Sequence, residues 1–370
     1  MRKTPHFYRK RGVSKTDRMA VEAKRDRNPP LLGLKLQKLQ FGGEIRMEKA
    51  ECYRGWQNVQ MRILENHKDR TVIECGDEGQ GLITRYRPLE GLELNFYEFD
   101  TDEVFHVKDS PPNVTVIGYC QEGRCECEFS NHKVTHLPEG YYSMRGTKYL
   151  PVSYSFPERR FRGLSLVYDR SKLTPGELQI MEKIPIDPNS IGNTSKAEES
   201  WYVNSVTPQL QQLFDELCQA KGRESAGYFR IKAVEVLFYL EYQRPDCACE
   251  CKFYDRDQVQ ATKKIREYLI EHFDQKISLK SLAESAHMNL VAFHKIFAQI
   301  YGDTPYAYVK KYKMNLAAQS LAEDSVKIGE FAERLGYSNA SKFAKAFQSI
   351  YGVLPKDYRK QSESHRGKKQ

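Results

Sequence analysis

Residues 82–168 read as a series of strands, and the clearest of them alternates apolar and polar positions. In LELNFYEF, Leu92, Leu94 and Phe96 alternate with polar neighbours, which is the side-chain period of a half-buried strand. The β-branched run Val114 to Tyr119 is followed by Gln121-Glu122-Gly123-Arg124 and then by Cys125-Glu126-Cys127-Glu128-Phe129, a pattern that predicts a hairpin turning at 121–124. A second turn, Pro138-Glu139-Gly140, precedes Tyr141 to Met144, and Phe161 to Tyr168 reads as one more strand. Short strands with turn signals between them predict an antiparallel sandwich or barrel. Beyond residue 170 the period lengthens. Leu210, Leu213, Phe214 and Leu217, then Ile231, Val234, Leu237, Phe238 and Tyr242, follow helical spacing and predict two amphipathic helices joined at Gly222 to Gly227. Pro245 breaks the second, in a polar hinge that runs from Arg244 to Cys251.

The last hundred residues repeat a phrase. Val259 to Phe273 predicts one amphipathic helix, and Ser278 caps a short helix from Leu279 to Ala286. Asn289 caps Leu290 to Ile300, which ends at Tyr301-Gly302, and Thr304-Pro305 opens a longer helix reaching Leu321. Then the signals return: a short helix from Ile328 to Leu335, a turn at Gly336, a cap at Ser338, a helix from Asn339 to Ile350 and an end at Tyr351-Gly352. Ala283 and Ala332 lie 49 positions apart and Phe297 and Phe347 lie 50 apart, so one residue is inserted in the second turn. A short helix, a turn and a second helix, twice over, is the layout of tandem helix-turn-helix units.

Charge sharpens that picture. Residues 1–46 carry 13 Lys/Arg against 4 Asp/Glu, residues 47–252 carry 25 against 32, and residues 253–370 carry 20 against 13. A basic C-terminal region beside an acidic middle points to a polyanion held by the C-terminus. The faces of the second helices left over after core packing carry Asn289, Val291, His294 and Lys295 in the first unit, and Asn339, Ala340, Ser341, Lys342 and Lys345 in the second. Small, amide and basic side chains suit base edges and phosphates in a major groove about 12 Å wide. The intervening helix, with Lys310, Lys311 and Lys313, would hold the two units apart for grooves roughly 34 Å from each other. A plain helical bundle with basic outer faces is the competing explanation, and the in-register repeat speaks against it.

These residues resemble the DNA-binding domain of the AraC/XylS family of transcription regulators. The likeness rests on Ile277-Ser278-Leu279 with Leu282-Ala283, on Phe293-His294-Lys295-Ile296-Phe297, on Gly336-Tyr337, on Phe343 with Phe347, and on Gly352-Val353-Leu354-Pro355-Lys356-Asp357-Tyr358-Arg359. It implies seven helices forming two helix-turn-helix units joined by a linker helix, with base-reading positions on the exposed faces just named. Two departures stand out: Val291 and Ala340 fill slots where members often present larger polar or aromatic groups, and Lys313-Met314 replaces a common Arg-Leu. The N-terminal half is similar in layout to that family's cupin-like sensor followed by two dimerisation helices. Metal cupins carry a paired His-x-His and a downstream Glu, whereas His132 and His136 are four apart, so a catalytic metal cupin is not expected.

The expected class is therefore α+β and multidomain, with an antiparallel β, cupin-like sensor and dimerisation helices ahead of an all-α double helix-turn-helix. The expected segments are a basic extension at 1–46, a β-rich effector domain at 47–168, a helical dimerisation region at 169–243, a hinge at 244–257, the DNA-binding domain at 258–361 and a basic tail at 362–370. Met47 is a candidate alternative start. The expected activity is a one-component regulator, an effector-responsive activator. Its expected partners are double-stranded promoter DNA, an unknown small-molecule effector, RNA polymerase and a second copy of the chain. No enzyme activity and no cofactor are expected. No apolar run approaches the ~18–20 residues of a membrane span and no secretory signal opens the chain, so a cytoplasmic protein is expected.

Nine cysteines raise two competing readings. Cys247, Cys249 and Cys251, with Cys120, Cys125 and Cys127, could make a soft-metal or redox sensor, although the spacing is not the x₂ spacing of structural zinc ribbons. Reduced thiols in a hinge and a hairpin are the simpler account. A repair-type methyl acceptor fused to the same DNA-binding domain is a third reading, and the CxCxC spacing argues against its four-Cys zinc site. His106, His132 and His136 are candidate lining for a ligand pocket.

Overall fold

The computed structural model describes residues 56, 59–76, 80–107, 114–145, 150–184, 201–223, 225–242, 252–323 and 327–366. The expected basic extension at 1–46, the hinge cysteines 247, 249 and 251, and the last residues of the tail lie outside the described residues. The chain divides into two compact units. One holds the described residues up to 263 together with 280–304; the other holds 264–279 and 305–366.

The larger unit is built on an antiparallel sheet. Strands β1 (Met61–Asn66), β2 (Arg70–Cys75), β3 (Gly81–Leu89) and β4 (Leu92–Asp100) follow in order. The sheet continues from β4 through β10 (Arg160–Asp169) to β6 (Val114–Phe129) and β7 (Lys133–Pro138). The short β5 (Phe105–His106) pairs with β9 (Pro151–Ser155), which joins β6. Strand β8 (Tyr141–Arg145) also joins β6, and β11 (Trp201–Ser205) joins β8.

Alternation sorts the side chains onto two faces. Leu92, Leu94 and Phe96 of β4 join a core with helices α2 (Pro208–Ala220) and α3 (Ala226–Tyr242). Phe99, of opposite parity, joins a second core with Phe105, Phe129, Phe156, Phe161 and Trp201. Helix α1 (Pro175–Lys183) begins on a Thr174–Glu177 capping box and contributes Met181 to the first core.

Two expectations change. The segment 169–243 is not helical throughout, because Trp201 and Val203 alternate into a core and β11 hydrogen-bonds to β8. Nor does the chain turn back at 121–124: β6 is one strand of 16 residues. Opposite β10, Gly163 pairs with Cys120 and Arg162 with Glu122, which leaves Gln121 as the extra residue of a β-bulge. Gly123 completes the bend at φ +83°, where a Cβ would come within 2.0 Å of the Arg160 carbonyl oxygen. The turn chemistry in the sequence thus serves a bulge. Its consequence is a change of parity: Cys120 reaches the second core from an even position, whereas Cys125, Cys127 and Phe129 reach it from odd ones. The reversal comes later, where His132 N donates to the Phe129 carbonyl and β7 pairs back on β6.

After β12 (Tyr254–Asp255), paired with β7, the chain is helical: α4 (Arg256–Glu271), α5 (Leu279–Ser285), α6 (Leu290–Tyr301), α7 (Pro305–Glu323), α8 (Ile328–Arg334), α9 (Ala340–Tyr351) and α10 (Pro355–Arg366). In the smaller unit Met314, Ala317, Ala318 and Leu321 of α7 pack with Ala332, Leu335, Phe343 and Phe347.

Candidate nucleic-acid interface

Two helices are built alike. Asn289 caps α6 by accepting a hydrogen bond from the Ala292 amide at 2.8 Å, and Asn339 caps α9 by accepting one from the Lys342 amide at 2.8 Å. Each cap satisfies one of the donors that a helix start leaves unpaired. Ser338, expected as the second cap, yields that place to Asn339, because the helix begins at Ala340 and puts Asn339 in the capping position. Both helices end on a glycine in the left-handed region, Gly302 and Gly352.

Along each helix runs an aromatic spine four residues apart. Phe293, Phe297 and Tyr301 pack successively in α6, with ring centroids 5.7 and 4.8 Å apart. Phe343, Phe347 and Tyr351 do the same in α9, at 5.9 and 4.7 Å. The Phe rings are fully buried, and so are Ala283 and Ala332 on the preceding helices. These alanines allow close helix approach, and the spine fixes which face of each second helix is left outside.

That outer face carries the expected residues. On α9, Asn339, Ala340, Ser341, Lys342 and Lys345 are all exposed. On α6, Asn289, Val291 and Lys295 are exposed, Val291 at 64%. His294 differs: it is half-buried, packs its ring 6.0 Å from Phe293, and encloses an Nε2 that has no hydrogen-bond partner among the described residues.

The smaller unit braces its own helix. Lys310 of α7 donates to Ser349 Oγ at 2.9 Å, and Tyr351 OH donates to Asn315 Oδ1 at 2.9 Å. Tyr358 of α10 packs against Phe347 and Tyr351. Arg266 donates to Tyr308 OH at 2.7 Å, which ties the second half of α4 to α7. Lys313 lies 5.5 Å from the Tyr337 ring centroid, and burial pushes its pKa down.

In the larger unit a buried polar cluster missing from the sequence expectations joins β6, β7, β9 and α4. Glu126, its side chain 7% exposed, takes a hydrogen bond from Ser155 Oγ at 3.1 Å and contacts His136 Nε2 at 2.9 Å and Lys263 Nζ at 2.6 Å. Burial raises its pKa, but the hydrogen bonds and positive charge outweigh burial and hold the carboxyl at about 2. Burial pushes the His136 pKa down, against the pull of Glu126. We therefore assign a neutral imidazole that donates through Nε2–H and leaves Nδ1 as an acceptor without a partner among the described residues. Nothing in the spacing of Glu126, His136 and Lys263 announces this cluster; only strand pairing brings residue 126 beside 136.

The three histidines do not converge on one pocket: His136 is buried in this cluster, while His132, at φ +59°, and His106 are exposed. Cys75, Cys120, Cys125 and Cys127 are buried within the second core. Burial pushes the Cys75 thiol up to about 12 and raises Cys120 further. A hydrogen bond with Cys127, with burial, raises Cys125. Burial of this kind favours the neutral thiol over the thiolate at Cys75, Cys120 and Cys125. Among the described residues no group of three or more His, Cys, Asp and Glu is placed to hold a metal ion.

Residues 282–361 match a family described as "Helix-turn-helix domain". The probable transcriptional regulator LumQ of Photobacterium leiognathi is 33% identical over 94 residues, covering 25% of this chain and 38% of that protein. The virulence regulon transcriptional activator VirF of Yersinia enterocolitica is 26% identical over 233 residues, 60% of this chain and 78% of that one. Among solved structures, ToxT of Vibrio cholerae aligns over 73% of this chain and 98% of its own, at 11% identity and a TM-score of 0.29. The matched region thus spans well under half of LumQ. Residues 282–361 are thus a helix-turn-helix domain, with its paired caps and aromatic spines, and the chain is similar there to transcription regulators such as LumQ and VirF.

Proposed function

We propose that the protein is a promoter-binding transcription regulator that reads double-stranded DNA with α6 and α9. The observation that carries this reading is the duplicated cap, spine and exposed polar face, with Asn339, Ala340, Ser341, Lys342 and Lys345 outside on α9 and Asn289, Val291 and Lys295 outside on α6. A side chain capping through Oδ1 keeps its amide N–H groups for a base or phosphate. His294, half-buried, serves as packing first and contact second. VirF is described as an activator and LumQ as a probable regulator, which supports promoter DNA as the target and activation, through RNA polymerase, as the outcome.

The β-rich half is the place for a small-molecule effector, and α3 is the place for a second copy of the chain. Helix α3 is apolar on more than one side. Phe229, Ala233, Val236, Leu237 and Leu240 are buried in the first core, whereas Ile231 is 70% exposed and Val234 and Phe238 are only half-buried. The outer stripe supports a dimer contact. No helix among the described residues is long and apolar enough to cross a membrane. Burial inside the second core, which raises the Cys120 and Cys125 thiols, speaks against a sensor at those two positions, while Cys247, Cys249 and Cys251 lie outside the described residues.

The test is selection of bound sequences from a random duplex pool by purified full-length protein with heparin competitor. Enrichment of a site with two half-elements about one helical turn apart is expected. Recovery of no preferred sequence would remove the reading.

A further inference from the structure

The bulge in β6 turns three charged side chains onto one face. Arg124, Glu126 and Glu128 alternate with Cys125 and Cys127, which occupy the second core, so the charged residues share the opposite side of the strand. Each meets a different point of the helices that begin the helix-turn-helix region. Arg124 Nη1 donates to the Gln299 carbonyl oxygen of α6 at 3.1 Å. Glu126 binds Lys263 of α4, and Glu128 Oε1 binds Arg256 Nη1, at the start of α4, at 3.2 Å. Next to them, Thr135 Oγ1 donates to the Lys252 carbonyl, Arg256 N donates to the His132 carbonyl and Lys133 pairs with Asp255. The chain entering α4 is thereby stitched along β7.

The Arg124 contact is the telling one. A helix leaves its last four carbonyls without intrahelical donors, and its C-terminal end carries partial negative charge. In α6 the Gly302 amide takes care of Ala298, and the Arg124 guanidinium takes care of Gln299. The same guanidinium lies over the capping glycine: a Cβ on Gly302 would come within 2.6 Å of Nη2. Around the matching Gly352 of α9, no atom of the described residues would lie within 4 Å of such a Cβ. The docked face leaves Asn289, Val291 and Lys295 exposed, so it does not occupy the DNA-reading side of α6.

We propose that the β-rich half completes the first helix-turn-helix unit: Arg124, Glu126 and Glu128 of β6 act as positioning residues for α4 and α6. The first half of the DNA site is then read by a composite of strand and helices, and the second half by a self-contained unit. This proposal rests on the reading of α6 as a DNA-contacting helix.

The test uses full-length protein and the DNA site selected by the wild type. Arg256→Glu and Glu128→Arg alter a partly exposed pair and leave the buried Glu126 cluster intact; Arg124→Gln removes the cap. Each is expected to weaken binding about tenfold and to lose footprint protection over one half-site while keeping the other. The swap Glu128→Arg with Arg256→Glu is expected to return affinity to within about twofold. Single variants that bind like the wild type or tighter, losses spread evenly over both half-sites, or a swap that rescues nothing would overturn the proposal. Amide exchange supplies a readout without DNA. Arg124→Gln should speed exchange at 298–302 and leave 348–352 unchanged, and equal behaviour at both ends would overturn the proposal even where the wild type selects no sequence. Absence of selected DNA with the exchange difference present would instead count against the DNA-reading function alone.

Discussion

Helices α6 and α9 share an Asn cap, a spine of two phenylalanines and a tyrosine, and a left-handed glycine, yet they are held by different things. Helix α9 leans on its own neighbours, through Lys310 to Ser349, Tyr351 to Asn315 and the Tyr358 ring. Helix α6 ends against a strand some 175 positions earlier in the chain, through Arg124. A duplicated sequence has diverged in what braces it while keeping what shapes it. The shaping residues act within one helix, where spacing alone decides contact. The bracing residues act across the fold, where either copy is free to find a different partner.

The largest test of the shared part is removal of the spine. Phe297→Ala and Phe347→Ala should each cost about 3–5 kcal/mol, since both rings are fully buried. Denaturant titration checks this, and a much smaller loss in either would show a spine that is not equivalent. Next come the faces proposed to read DNA. Lys295→Ala and Lys345→Ala should each weaken binding by about 1–3 kcal/mol in a gel shift at fixed salt. Parent-like binding by Lys345→Ala would remove α9 from the interface. The caps are smaller: Asn289→Ala and Asn339→Ala should each lower stability by about 1 kcal/mol. A thermal melt that moves for one and not for the other would mean that core packing, not the cap, holds that helix start.

The smallest effect separates the larger unit from the smaller by pH. Buried His136 has its pKa lowered, so the folded chain resists a proton that the unfolded chain takes up below about 6.5. Stability is therefore present above that pH and falls as pH drops through it. Glu126, held at about 2, adds stability present above its ordinary carboxylate range and lost toward that lower value. The groups facing the imidazole are Glu126, Lys263 and Arg124. Between pH 7.5 and 5.5 the larger unit should lose melting temperature, and His136→Gln should flatten the slope. Parallel slopes for parent and variant would show that this imidazole does not control it.

Much of the helical half was legible in the chain. Asn289 and Asn339, Phe293 with Phe297, Phe343 with Phe347, and the two closing glycines lie within a few residues of the groups they touch, so 3.6-residue spacing suffices. Strand placement was legible where alternation is strict, as at Leu92, Leu94 and Phe96. It failed at Gly123, because a glycine among polar residues signals both a turn and a bulge. Only pairing with β10 chooses between them. It failed again along α3, where an apolar helix shows no single stripe and the sheet beneath selects Phe229 and Ala233 over Ile231.

The order of amino acids was enough to establish two like helical units in the C-terminal region and, His294 apart, which side chains the second helix of each leaves exposed, because caps and spines are local. The parity change in β6, the buried meeting of Glu126, His136 and Lys263, and the capping of α6 by Arg124 came only with folding. Those depend on which distant strand lies alongside, and no spacing along the chain encodes the distance across a sheet.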